Sequence, residues 1–195
     1  MPAISVRIED LSSVPADPGL LRSGERAQLR AMRLSPQRQE EWIRGRMAIH
    51  RALAARLGRR ARTQVVTRPD GAPHLIGMPY SVALSHDGSW FAVALAPGRT
   101  ARVGVDLCHR SHAARLPSIV ARLTRPDARL SAMEQWAALE CVLKMRRRGI
   151  TSLLGGRVAL RRDGRRVRVG GIGPSTSIHL VERSECVVAW GVEWP

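Results

Sequence analysis

The sequence predicts an α+β fold made of two similar halves, each a helix packed on a small, mostly antiparallel sheet, related by a pseudo-two-fold axis. Three observations predict it. Residues 35–58 and 127–148 carry apolar side chains at helical spacing. Each is followed by short alternating segments bounded by Gly, Pro and Asp. At 195 residues and 44% hydrophobic, the chain can bury one core, or two small ones that share a boundary. Residues 1–100 are assigned to the N-terminal half and 101–195 to the C-terminal half. The halves share no visible sequence identity, so the duplication rests on topology alone.

"AISVRIEDL" alternates and predicts a first strand. In "SPQRQEEWIRGRMAIHRALAARLG", Ser35 can cap a helix, Pro36 suits its first position and Gly58 can end it. Ile43, Met47, Leu53, Ala54 and Leu57 supply its apolar face, and Gly45 inside it hints at close approach by a neighbour. "TQVVTR" is a short strand before the turn "PDGAP". "SVALSHDGSWFAVALA" reads as a hairpin around Asp-Gly, with His86 where the first strand enters the turn. In "ARVGVDL", Val103, Val105 and Leu107 point one way and Asp106 the other. "CHRSHAARLPSIVARL" predicts a helix broken near Pro117. The helix over "DARLSAMEQWAALECVLKMRRR" buries Leu130, Met133, Ala137, Cys141 and Met145. The tail, "GRVALRR", "RRVRVG", "TSIHLVER" and "CVVAWGVEW", is strand-rich.

A net charge of +16 calls for an anionic partner: nucleic acid, membrane surface, polyphosphate or acidic protein. The plainer alternative is arginine bias with no special partner. Cys108, Cys141 and Cys186 are far apart and odd in number, so a disulfide framework is not expected. No stretch resembles a signal peptide or a membrane span, which predicts a soluble cytoplasmic protein.

Lys144 is the only lysine among 32 basic residues. Trp136, Glu140 and Lys144 fall at i, i+4 and i+8, on one helix face. In isolation this is the spacing of a surface Glu–Lys pair. Asp106 ends an apolar strand, where it is either solvated or paired with Glu140 around a hard divalent cation. His86 reads as an exposed tip residue or a phosphate contact, and Arg46 as a solvated arginine or a ligand contact.

Taken in order, WIRGRMAIHRAL, DGAP, LSHDGSW, VGVDL and WAALECVLK resemble the motif series of the 4′-phosphopantetheinyl transferases, in their larger, monomeric, surfactin-type class. That series has a GR-containing helix, G-[KR]-P, S-H-S, G-[IV]-D-[IL]-E and W-x-x-K-E-x-x-x-K. The resemblance spans roughly Trp42 to Ile150. It implies transfer of the phosphopantetheine arm of coenzyme A to a serine of an acidic carrier protein. The transfer needs Mg²⁺, with Mn²⁺ as a substitute, and releases 3′,5′-ADP. The active site would lie between the halves. By position, Asp106 and Glu140 would hold the metal. Glu140 would also help deprotonate the serine, while Lys144 would contact phosphate and assist proton transfer. Ser85, His86, Arg46 and Arg68 would bind coenzyme A.

The chain departs from the pattern at Cys108 (for the second acid), Leu139 (for the first lysine), Ala72 (for the basic residue of G-[KR]-P) and Asp87 (for the second serine). Arg146, Arg147 and Arg148 lie where they can compensate. The alternatives are a degenerate homologue that only binds carrier protein, and an arginine-rich nucleic-acid-binding protein. Aromatic content of 4% and the absence of zinc-finger or RNP-like motifs argue against the latter. The clusters Arg59-Arg60-Arg62 and Arg161 to Arg168 read as solvated faces.

Overall fold

The computed structural model of the chain describes residues 3–58, 63–125, 127–153 and 158–195. The elements are β1 (Ser5–Asp10), α1 (Ser23–Ala31), α2 (Pro36–Leu57), β2 (Val65–Thr67), β3 (Pro73–Leu75), β4 (Tyr80–Asp87), β5 (Trp90–Pro97) and β6 (Arg102–His109). They continue with α3 (Leu116–Leu123), β7 (Thr124–Arg125), α4 (Ala132–Met145), β8 (Val158–Asp163), β9 (Arg166–Gly170), β10 (Thr176–Glu182) and β11 (Cys186–Glu193). The class is α+β, as expected. One sheet has the order β1-β5-β4, a second the order β6-β11-β10-β9-β8-β7, and β2 pairs with β3. All pairings are antiparallel except β7 with β8.

Strand alternation builds the layers. In β5, Phe91, Val93 and Leu95 face α2, where they pack with Ile49 and Leu53. The intervening Ala92, Ala94 and Ala96 face the larger sheet and meet Val103, Val105, Leu107 and Val188. The far side of that sheet packs on α4 through Val167, Val169, Ile178 and Ala189. The order is therefore helix, sheet, sheet, helix. Alanines at the central seam let the two sheets come close, because each Cβ adds little thickness.

The first long helix follows its signals: Ser35 accepts from Arg38 N at 3.4 Å, Pro36 sits in the first turn and Gly58 ends it at φ 80°. Its buried face is turned relative to expectation. Ala48, Ile49 and Ala52 are buried beside Ile43 and Leu53, whereas Met47, Ala54 and Leu57 are only half-buried. The neighbour anticipated at Gly45 is β4, since a Cβ there would come within 3.0 Å of the Leu84 side chain.

Two expected boundaries are corrected. Cys108 and His109 belong to β6, not to a helix, because the ladder with β11 runs on to His109 opposite Cys186. The helical stretch is interrupted at 113–115, just before Pro117, which then sits in the first turn of α3, as a residue without an N–H can. The next helix starts at Ala132, later than expected, under a reciprocal cap: Ser131 accepts from Glu134 N, and Glu134 accepts from Ser131 N. Its predicted stripe is buried, and so are Ala138, Leu139, Val142 and Leu143. Gly104 lets this helix lie against β6. A Cβ at that position would stand 2.3 Å from the Cys141 carbonyl oxygen. The cluster Arg59, Arg60 and Arg62 lies outside the described residues.

Candidate functional site

Strand β4 lies beside β6 without pairing to it, and Ser85 bridges the two. Its hydroxyl donates to Asp106 Oδ1 at 3.0 Å and accepts from Leu107 N at 3.2 Å. Lys144, from the last turn of α4, completes the cluster. Its Nζ donates to Asp106 Oδ1 at 2.6 Å and to Ser85 Oγ at 2.8 Å. The helix neighbour Glu140 is not its partner, so the expected i,i+4 surface pair does not form. The Asp106 side chain is 6% exposed and that of Lys144 38%, so the ammonium stands between a buried carboxylate and open space.

Glu140 lies one helical turn before Lys144 and is half-buried. No hydrogen bond supports it among the described residues, and its pKa is raised, first by burial and then by the charge of Asp106, with Lys144 acting in the opposite direction. Burial also pushes the Asp106 carboxyl up, against the pull of Lys144. Two carboxylates, of which Asp106 raises the pKa of Glu140, together offer a set of hard oxygen donors. Such a set suits a cation that fills its shell with water and ligand oxygens. Among the described residues, no group of three or more metal-ligating side chains adds to it. Cys108 shares the Asp106 face of β6 but is buried, and its thiol is pushed up to about 12, so it stays protonated and is no ligand.

His86 follows Ser85 in β4 and stacks on Phe91, ring centroids 5.2 Å apart. Burial lowers its pKa. Lys144 and Arg38 lower it further, while Glu41 and Asp87 raise it. The neutral imidazole is therefore the resting form near pH 7. The Asp87 carboxylate acts on His86 only through its charge, its own bonds being made elsewhere. It accepts from His109 N at 2.9 Å and pairs with His112 Nε2 at 3.0 Å.

On the other side of Lys144 opens a cleft of about 830 Å³. Arg68 and Asp70 from the β2–β3 turn and His74 from β3 line it together with Arg99, Arg102, Arg147 and Arg148. Arg68 Nη2 lies 2.8 Å from His74 Nδ1. The His74 pKa is lowered by burial and by Arg68, Arg99 and Arg147, which records how many cations converge there.

The C-terminal end of α4 aims two of these arginines. Arg147 N donates to the Lys144 carbonyl and Arg148 N to the Leu143 carbonyl, closing the helix with a Schellman turn. Arg147 occupies the left-handed position, φ 55°, the one non-glycine residue with positive φ among those described. Arg146 holds the turn from behind, donating to Glu193, Thr176 and the carbonyls of Ile172 and Pro174.

Ser85, Asp106, Glu140 and Lys144 thus come together, His86 lies beside them, and Arg68 lines the adjoining cleft. Arg46 does neither. It is 4% exposed, bonded to Thr67 Oγ1 and stacked 4.3 Å over the Trp42 ring, and burial brings its pKa down to about 10. Leu139, which stands where the family pattern has its first lysine, is wholly buried in the core under α4. Asp70, His74, Arg99 and Arg102 were missed. The "PDGAP" turn was the available signal for Asp70 and, one residue on, for His74, but nothing local tied it to α4. No protein-family model and no curated protein sequence matches the chain.

Proposed function

We propose that the protein is a 4′-phosphopantetheinyl transferase that moves the arm of coenzyme A onto a serine of an acidic carrier protein. One observation carries this: LSHDG, VGVDL and WAALECVLK, distant in sequence, meet where Lys144 Nζ lies 2.6 Å from Asp106 Oδ1, beside Glu140 and at the rim of a basic cleft. The order of those motifs is the one that resembles the transferases. The pseudo-two-fold relation of the halves belongs to the same proposal.

In this proposal Asp106 and Glu140 hold Mg²⁺, which neutralises charge on the pyrophosphate when bound. Lys144 and the cleft arginines hold the phosphates as fixed positive charges. Glu140, whose raised pKa fits a proton acceptor, takes the proton of the carrier serine. The serine oxygen attacks the phosphorus that bears the pantetheine, the bond to the leaving phosphate breaks, and 3′,5′-ADP departs. Ser85 acts by fixing Asp106. Arg46 acts by fixing α2 against Thr67, not by touching the nucleotide.

The test is to incubate the protein with coenzyme A, Mg²⁺ and an apo carrier domain and to weigh the carrier. A phosphopantetheine increment that disappears in Asp106→Ala supports the proposal. No increment with several carriers sinks it. A nucleic-acid-binding reading has one observation in its favour: exposed Arg161 and Arg168 stand directly opposite each other, and Arg166 adjoins His179, which stacks on Trp190 at 5.4 Å. Tight, salt-dependent RNA or DNA binding without carrier modification would favour it.

A further inference from the structure

Arg147 combines two unusual features. Its backbone is left-handed at φ 55°, a conformation that strains an L side chain and that glycine adopts freely. Its guanidinium reaches across the cleft to Asp70, with Nη1 3.3 Å from Oδ2. The pair is open, the side chains being 53% and 34% exposed, so it gives little stability in return. Both residues line the cleft, and among the described residues Asp70 is the only acid in a lining that also holds Arg68, Arg99, Arg102, Arg148 and Lys144. Arg146, with four acceptors behind it, holds the turn from which Arg147 extends.

We propose that Arg147 is an anion-binding residue of the cleft and that Asp70 is its internal placeholder, displaced when a phosphate-bearing ligand enters. The exchange replaces a carboxylate on Arg147 with a phosphate of higher charge and leaves Asp70 in solvent. It also makes binding self-competitive: the β2–β3 turn is tied to α4 in the empty cleft and released when the ligand binds. The proposal rests on the transferase reading only for which anion arrives, not for the exchange itself.

The experiment is calorimetric titration with inorganic pyrophosphate, and in a parallel arm with coenzyme A, of wild type, Arg147→Gly, Asp70→Asn and the double variant. Thermal melts accompany each. Arg147→Gly should raise Tm by about 2 °C, because glycine suits the left-handed position, yet weaken pyrophosphate binding about tenfold. Asp70→Asn should tighten binding about two- to fivefold, and that gain should vanish in the double variant. Wild-type affinity in Arg147→Gly overturns the proposal, as does an Asp70→Asn gain that survives without Arg147, or no binding by wild type. Coenzyme A transfer that proceeds while ignoring Arg147 sinks this proposal alone. The predicted pyrophosphate pattern without coenzyme A binding sinks the transferase reading alone.

Discussion

Two glutamates, one in each half, are both withdrawn from water and shifted in opposite directions. Glu25 of α1 is fully buried. It accepts from His50 Nε2 at 2.8 Å, Val65 N at 2.9 Å and Arg22 N at 3.0 Å. Burial pushes its pKa up, but those bonds outweigh burial and leave it lowered. Glu140 is less buried, takes no hydrogen bond among the described residues and faces Asp106, so its pKa is raised. The difference separates structure from chemistry. Glu25 has its charge answered inside the fold, where it ties α1 to α2 and β2. Glu140 keeps an unanswered charge, which is the condition in which a carboxylate binds a cation or accepts a proton.

The comparison can be broken most directly at Glu140. Glu140→Gln should cut transfer by about 10²–10⁴-fold, measured by carrier mass, if the carboxylate accepts the proton. The same variant should melt higher than wild type at pH 8. A carboxyl whose folded pKa is raised contributes stability below its unfolded pKa and loses it as pH rises through the folded value. The advantage of Gln should therefore fade towards pH 4, and a constant difference across that range would contradict the assignment. Glu25→Gln should do the reverse. It should cost about 3–5 kcal/mol, by loss of a charge that buried partners expect, with activity per folded molecule kept. Its lowered pKa places the related loss of stability at acid pH, as the pH falls through the folded value. Lys144→Arg should come next, slowing transfer at least about tenfold, because a planar fork cannot sit on both Ser85 Oγ and Asp106 Oδ1. Cys108→Ala should have the smallest effect, about 1 kcal/mol in a melt, with Mg²⁺ dependence unchanged. A shift in that dependence would mean the thiol stands at the metal.

Much of the fold was legible because its signals are local. Period-two alternation and the Asp-Gly turns located the hairpins, and Ser35, Pro36 and Gly58 bounded a helix by their own chemistry. The layering was less so. That Ala92, Ala94 and Ala96 meet a second sheet depends on residues far along the chain. The site shows the same divide. The motif order gathered Ser85, Asp106, Glu140 and Lys144. Helix spacing, however, assigned Lys144 to Glu140, whereas the stronger acceptors come from β4 and β6. The burial of Arg46 was not legible, because an arginine in a polar stretch reads as solvated. Only Thr67 and the Trp42 ring, brought up by tertiary packing, explain its burial. Leu139 was compared with a pattern when the core was deciding it. The left-handed backbone of Arg147 has no local signature, since glycine is the residue expected there.

The lone lysine has a practical consequence. Apart from the N-terminal amine, an amine-selective reagent has one target in this chain, and that target is held by Ser85 from one sheet and Asp106 from the other. Its labelling rate is a footprint of the seam itself. With the two sheets together, the ammonium is hydrogen-bonded and slow to acylate. Were the sheets to part while each kept its own ladder, Lys144 would lose the Ser85 bond and react faster, although the secondary structure had not changed. A single mass increment per molecule would then time the joining of the two halves, without any dye or engineered cysteine.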